Sequence, residues 1–264
     1  MSSEPIVYLV GAGPGDPELL TVKARRLLGE ADVVVYDRLV SDDIMALIPP
    51  GTARINVGKQ PNSHPCPQRE INALLVNLAK DGKRRVVRLK GGDPLTFGRG
   101  SEEMLALAAH DIRCEVVPGI TAASGCAAAL GIPLTHRGLA TGVRYLTGHC
   151  REDAELELDW RGLADPDTSL VVYMGKANIG GIADRIINHG LDPATPVAAV
   201  CNGTTAAERT VFSTLGDVAR ATEAAGFEGP VLFIIGRVVN VAGAFRREFG
   251  EPDAPEPVRK ARLG

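Results

Sequence analysis

Apolar residues in this chain fall in short β-branched runs, several of which do not alternate with polar ones, separated by stretches whose apolar residues recur at helical spacing. Ile6–Val10, Val33–Tyr36, Arg54–Val57, Val86–Leu89 and Arg113–Val117 read as strands. Strands that are apolar on both faces are expected where helices cover both sides of a parallel sheet. Thr21–Ala31 and Gln68–Lys80 have helical spacing, and Gly82 is placed to stop the second helix. Together these make one α/β unit that ends near Pro133. A second set of strands follows at Tyr145–Thr147, Leu170–Met174, Val197–Cys201 and Val231–Ile235. Asn178 is positioned to cap a helix whose apolar face carries Ile179, Ile182, Ala183, Ile186 and Ile187, with Gly190 as its stop. The seam falls in the Gly- and Thr-rich stretch Pro133–Arg144. The pattern therefore predicts an α/β protein of two similar domains, residues 1–134 and 135–248, with a cleft between them. Prolines among alternating charges predict a disordered tail over 249–264.

Composition narrows the function classes. With 45% apolar and 23% charged residues in 264, the chain can build its core without staples. The five cysteines form no CxxC pair and are odd in number, which argues against a disulfide framework or structural zinc and for a reducing compartment. No apolar run reaches the ~18–20 residues of a membrane span. Met1–Pro5 lacks the basic start and apolar core of a signal peptide, so a cytoplasmic protein is expected. A net charge of −3 with only 4% aromatic residues weighs against nucleic-acid binding.

Chemistry concentrates at strand ends. Val10–Pro17 follows the first strand and invites a dinucleotide reading, but the sixth position of G-x-G-x-x-G is Asp16, a poor neighbour for a pyrophosphate. A tight strand–helix turn capped by Asp16 is the alternative. Asp37, closing the second strand, could hold a ribose or act as a base; a solvated Asp37–Arg38 loop is the bland reading. Lys59, closing the third, is otherwise an ordinary surface lysine. Arg88–Gly100 places four glycines in ten residues at a strand's carboxyl end, where parallel sheets bind ligands. That favours a binding loop over a connecting turn. Val117–Arg137 strings together small side chains, which allow close backbone approach to a cofactor or to the sheet. Packing explains its alanines better than it explains Thr121 or Thr135–Arg137.

Gly11–Pro17, Tyr36–Ser41, Arg88–Gly100, Val117–Arg137, Thr147–His149, Val172–Gly175 and Cys201–Thr204 occur in this order over nearly the whole chain. Together they resemble the tetrapyrrole methylase family, in the branch that acts on uroporphyrinogen III. The resemblance implies two α/β domains, a homodimer, and S-adenosylmethionine bound in the interdomain cleft. The implied cofactor contacts are Pro14, Gly91, Gly92, Asp93, Thr96, Thr121, Ala122, Met174, Gly203 and Val231. Asp37 and Lys59 match the family's proton acceptor and donor. The implied reaction is C-methylation of uroporphyrinogen III at ring carbons 2 and 7, giving precorrin-2 for sirohaem or cobalamin synthesis. Because that substrate carries eight carboxylates, Arg38, Arg99 and Arg137, with Lys59, are its candidate partners. Each is equally readable as a solvated surface residue. No metal is expected, His64–Cys66 and His149–Cys150 being the nearest approaches to a site. A chain of this length is also expected to lack the dehydrogenase and ferrochelatase activities of fused sirohaem synthases. Three alternatives stay open: a sister methylase acting on a later precorrin, a nicotinamide-dependent Rossmann oxidoreductase, and a cofactor-binding regulator without catalysis.

Overall fold

The computed structural model describes residues 6–58, 66–82, 85–149 and 156–243. Lys59, most of the 60–67 loop and the 249–264 tail lie outside the described residues. The first half runs β1 (Ile6–Gly11), α1 (Val22–Glu30), β2 (Val33–Tyr36), α2 (Asp42–Met45), β3 (Ala53–Asn56), α3 (Gln68–Lys80), β4 (Arg85–Lys90), α4 (Gly100–Ala108), β5 (Arg113–Val117) and α5 (Ala122–Leu130). Its five strands form one all-parallel sheet in the order β3-β2-β4-β1-β5. The Thr21 hydroxyl accepts from Ala24 N at 3.1 Å and starts α1, whose Ala24, Leu27 and Leu28 then turn inward at helical spacing. On the other face α3 buries Ile71, Leu75, Val76 and Ala79. Each face of the sheet thus has its own apolar layer, which is why β1 and β2 are apolar without alternation.

The second half runs β6 (Gly142–Thr147), α6 (Trp160–Leu163), β7 (Thr168–Tyr173), α7 (Ile179–Asn188), β8 (Pro196–Cys201), β9 (Arg209–Thr214), α8 (Val218–Ala224) and β10 (Val231–Ile235). The sheet order is β6-β7-β10-β8-β9, and only β6 and β7 pair in parallel. Strand β9 is absent from the sequence reading. It is an edge strand, rich in Thr and Ser, and lacks the apolar run that marks its neighbours. Asn178 stands at the N-cap of α7 as expected, but not as a side-chain cap. Its side chain makes no capping bond to α7; its amide instead donates to Gly148 O at 2.8 Å, tying α7 to the end of β6.

Helix α5 follows the last strand of the first sheet but packs on the second. Ala123, Cys126, Ala127 and Leu130 form one apolar cluster with Val171, Ala198, Val200, Leu232 and Ile234. Its small side chains let the helix lie close to that sheet. The two halves are therefore joined by a shared core element as well as by the chain.

Candidate active site

Strands β4, β1 and β5 are neighbours, so their carboxyl ends deliver three glycine loops to one place. Gly13 and Gly92 exchange backbone bonds at 3.1 and 2.7 Å. Gly119 leans into the same crossing: a Cβ there would sit 2.2 Å from Gly92 O, and one on Gly11 would sit 2.5 Å from Gly119 Cα. No side chain fits at either position. Gly92 differs. Its φ of +68° favours glycine, yet a Cβ would find open space, with Ala122 N and Thr121 Cα the nearest atoms at 3.9 and 4.0 Å. Asp93 holds this arrangement together. One carboxylate oxygen accepts from Leu95 N, Thr96 N and Thr96 Oγ1, and the other accepts from Gly119 N at 3.1 Å.

The loops of the second half close on this crossing. Thr121 Oγ1 and Tyr173 Oη lie 2.6 Å apart, and Tyr173 Oη also accepts from Ala123 N. Burial pushes the Tyr173 phenol up from its ordinary pKa. Its ring meets Phe97 at 5.0 Å and Tyr145 at 5.7 Å between centroids. Phe97, Tyr145 and Met174 are all partly exposed, leaving an apolar wall along the seam. After β8, Asn202–Thr205 reaches the first loop, where Asp16 N donates to Thr204 Oγ1 at 3.3 Å. Gly203 packs on the Cys126 thiol and Gly125 on the Pro14 ring, both too close for a Cβ. Val231 is buried at the start of β10, paired with Cys201. Among the described residues, five of the six non-glycine positions with left-handed backbone belong to these loops: Phe97, Arg99, Met174, Asn202 and Thr204. Such residues cost about 1–3 kcal/mol each and cluster at functional sites.

Asp37 sits beside this crossing. Its Oδ2 accepts from Arg88 Nη2 at 3.3 Å and its Oδ1 from Leu39 N at 3.1 Å, with 24% of the side chain exposed. Leu39 in turn lies against Gly91. The candidate carboxylate partners are at separate segments. Arg38 is exposed beside Gly58. Arg99 holds Glu102 through two 2.7 Å bonds. Arg137 is exposed in the 136–140 turn.

Sequence reading passed over a buried ionic cluster here. Arg88 and Lys90 both donate to Glu103 Oε1, at 3.2 and 3.1 Å, and Gln68 Nε2 adds a third bond at 3.1 Å. Burial, then the Arg88 charge, holds the Lys90 ammonium below the ordinary lysine pKa. The signal was present: Glu103 shares the inner stripe of α4 with Gly100 and Leu107, an unusual place for a carboxylate. Among the described residues, no group of three or more His, Cys, Asp or Glu side chains is placed to hold a metal. A cavity of about 360 Å³ beside Asp165, Asp192 and Arg237 lies at the opposite end of these strands, where β7 and β8 begin.

Strand-end glycine loops of one sheet meeting the strand-end loops of a second sheet define a class of cleft enzyme. Residues 6–219 match the model of the Tetrapyrrole (Corrin/Porphyrin) Methylases, and the chain belongs to that family. It is 55% identical over 236 residues to a uroporphyrinogen-III C-methyltransferase of Paracoccus denitrificans, covering 89% of this chain and 82% of that one. Uroporphyrin-III C-methyltransferase of Thermus thermophilus, solved with S-adenosyl homocysteine, is 44% identical with a TM-score of 0.76, covering 89% of this chain and 93% of that one. A cobalt precorrin-4 methyltransferase superposes with a TM-score of 0.80 at 30% identity, covering 90% and 98%. The chain spans about half the length of the sirohaem synthases it matches.

Proposed function

We propose that this chain transfers methyl groups from S-adenosylmethionine to carbons 2 and 7 of uroporphyrinogen III, giving precorrin-2 and S-adenosylhomocysteine. One observation carries the reading: in a chain of this family, the glycine crossing and the Tyr173–Met174 and Gly203 loops meet at one seam. The nearer relatives in sequence act on uroporphyrinogen III, which favours that substrate over a later precorrin.

The residues fit the cofactor. The space over Gly92, facing Thr121 and Ala122, is a cradle that a side chain at this position would enter. Gly91–Asp93, Thr96, Thr121, Ala122, Met174 and Gly203 would hold the cofactor, with Pro14 and Val231 supporting the walls. When bound, S-adenosylmethionine supplies an electrophilic methyl on a sulfonium leaving group, so the protein's task is position and charge. The interlocked glycine loops hold a fixed geometry, which in-line transfer requires. Phe97, Tyr145, Tyr173 and Met174 offer an apolar face to the macrocycle, while Arg38, Arg99 and Arg137 offer cations to its carboxylates. Asp37, partly exposed and held by Arg88, accepts the proton the ring sheds after attack. Lys59, carried by the resemblance alone, is the donor. Two domains divided by the seam, a homodimer, a cytoplasmic location, and use of the product in sirohaem or cobalamin synthesis complete the proposal.

Calorimetry tests the cofactor half. The protein should bind S-adenosylhomocysteine and not NAD; NAD binding without S-adenosylhomocysteine binding would reverse the reading.

A further inference from the structure

We infer that Arg88, held by Glu103, is the positioning residue of the Asp37 carboxylate. The inference rests on the proton-acceptor reading of Asp37.

Arg88 is 3% exposed, and every nitrogen of its guanidinium is spoken for. Nε donates to Glu103 Oε1 at 3.2 Å, and Nη1 to the carbonyls of Leu89 at 2.9 Å and Val35 at 3.5 Å. Nη2 donates to Asp37 Oδ2 at 3.3 Å. Val35 is the register partner of Arg88 across β2 and β4, and Asp37 stands two residues further on. One planar group therefore grips the end of β2 by its backbone and by its carboxylate, and an arginine fork fixes direction as well as charge. With Leu39 N on the other oxygen, the carboxylate is pinned at both ends.

Stability alone does not account for the cluster. Burying ions is costly, and apolar replacements are often at least as stable. Glu103 is fully buried, and among the described residues its Oε2 has no hydrogen-bond partner, which costs desolvation without return. Among the described residues, the set holds two charges of each sign once Asp37 is counted: Arg88 and Lys90 against Glu103 and Asp37. The fourth charge of an otherwise buried set is thus the one that reaches the cleft. Glu103 anchors the inner end of the guanidinium, and the outer end sets the base.

A double-mutant cycle tests this, with turnover and S-adenosylhomocysteine affinity measured for each protein. Arg88→Lys keeps the charge but cannot span Glu103 and Asp37 together. It should lower kcat about 10- to 100-fold, leaving S-adenosylhomocysteine affinity and both KM values within about twofold. In the Asp37→Asn background the same change should cost less than about threefold more, because Arg88 acts through the carboxylate already lost. Glu103→Gln, which preserves volume, should show the same sub-additivity, and it carries the test if the lysine variant fails to bind S-adenosylhomocysteine. Wild-type kcat in a folded Arg88→Lys protein, or losses that multiply in the double variant, would overturn the positioning role while the base reading stands. Wild-type turnover in Asp37→Asn would remove the base reading itself, and the positioning role with it.

Discussion

Gly92 and Gly119 meet in the same crossing, yet a side chain would harm them differently. Gly119 has backbone 2.2 Å from any Cβ, whereas Gly92 has room but a left-handed φ of +68°. Gly119→Ala should therefore destabilise the fold by about 2–3 kcal/mol, a fall of roughly 5–10 °C in Tm. Gly92→Val should cost about 1–2 kcal/mol for its backbone and abolish S-adenosylhomocysteine binding in a folded protein. Thermal melts and calorimetry on the two variants separate these outcomes; normal binding by Gly92→Val would make the loop structural. At this scale the sequence was informative where glycine repeats, because repeated glycines at a strand end signal close approach. It singled out Asp93 but not that its carboxylate accepts from the loop's own amides and Gly119 N, a role that depends on which loops meet.

Among the elements, α5 shows how far local pattern reaches. Its alanines announced close packing, but a helix of small residues suits either sheet, and only the tertiary fold shows it joining the second. β9 escaped because an edge strand can be polar on its open side, and Asn178 misled because an amide that suits a cap also suits a longer-range bond. Placing α5 in that core has a chemical consequence for Cys126. Burial, the largest cause, pushes its thiol up to about 12 from an ordinary 9.0. A raised thiol pKa means less thiolate at any given pH, so at pH 8 about one Cys126 in 10⁴ is ionised, against about one in ten for a free thiol. In the native protein Cys126 should resist alkylation at pH 8 and become reactive only on unfolding in urea. Rapid native labelling of Cys126, located by peptide mapping, would mean that α5 does not stay seated on the second sheet.

For the whole molecule, a net charge of −3 sets the problem of attracting a substrate with eight carboxylates. Exposed cations must act locally, and such attraction is screened over about 10 Å at 0.1 M salt. Arg38→Ala, Arg99→Ala and Arg137→Ala should each raise the KM for uroporphyrinogen several-fold more than that for S-adenosylmethionine, by an amount that shrinks as salt is added. Unchanged KM values at low salt would place carboxylate recognition elsewhere. Two layered sheets were legible from the apolar runs, and the glycine loops at their strand ends marked where a site was expected. The Glu103 cluster was not, since a buried charge reveals itself in sequence only once its helix face is known. The purified protein, incubated anaerobically with uroporphyrinogen III and methyl-labelled S-adenosylmethionine, should place two labelled methyls on each macrocycle, at carbons 2 and 7. Absence of transfer to uroporphyrinogen III, or transfer only to a later precorrin, would contradict it.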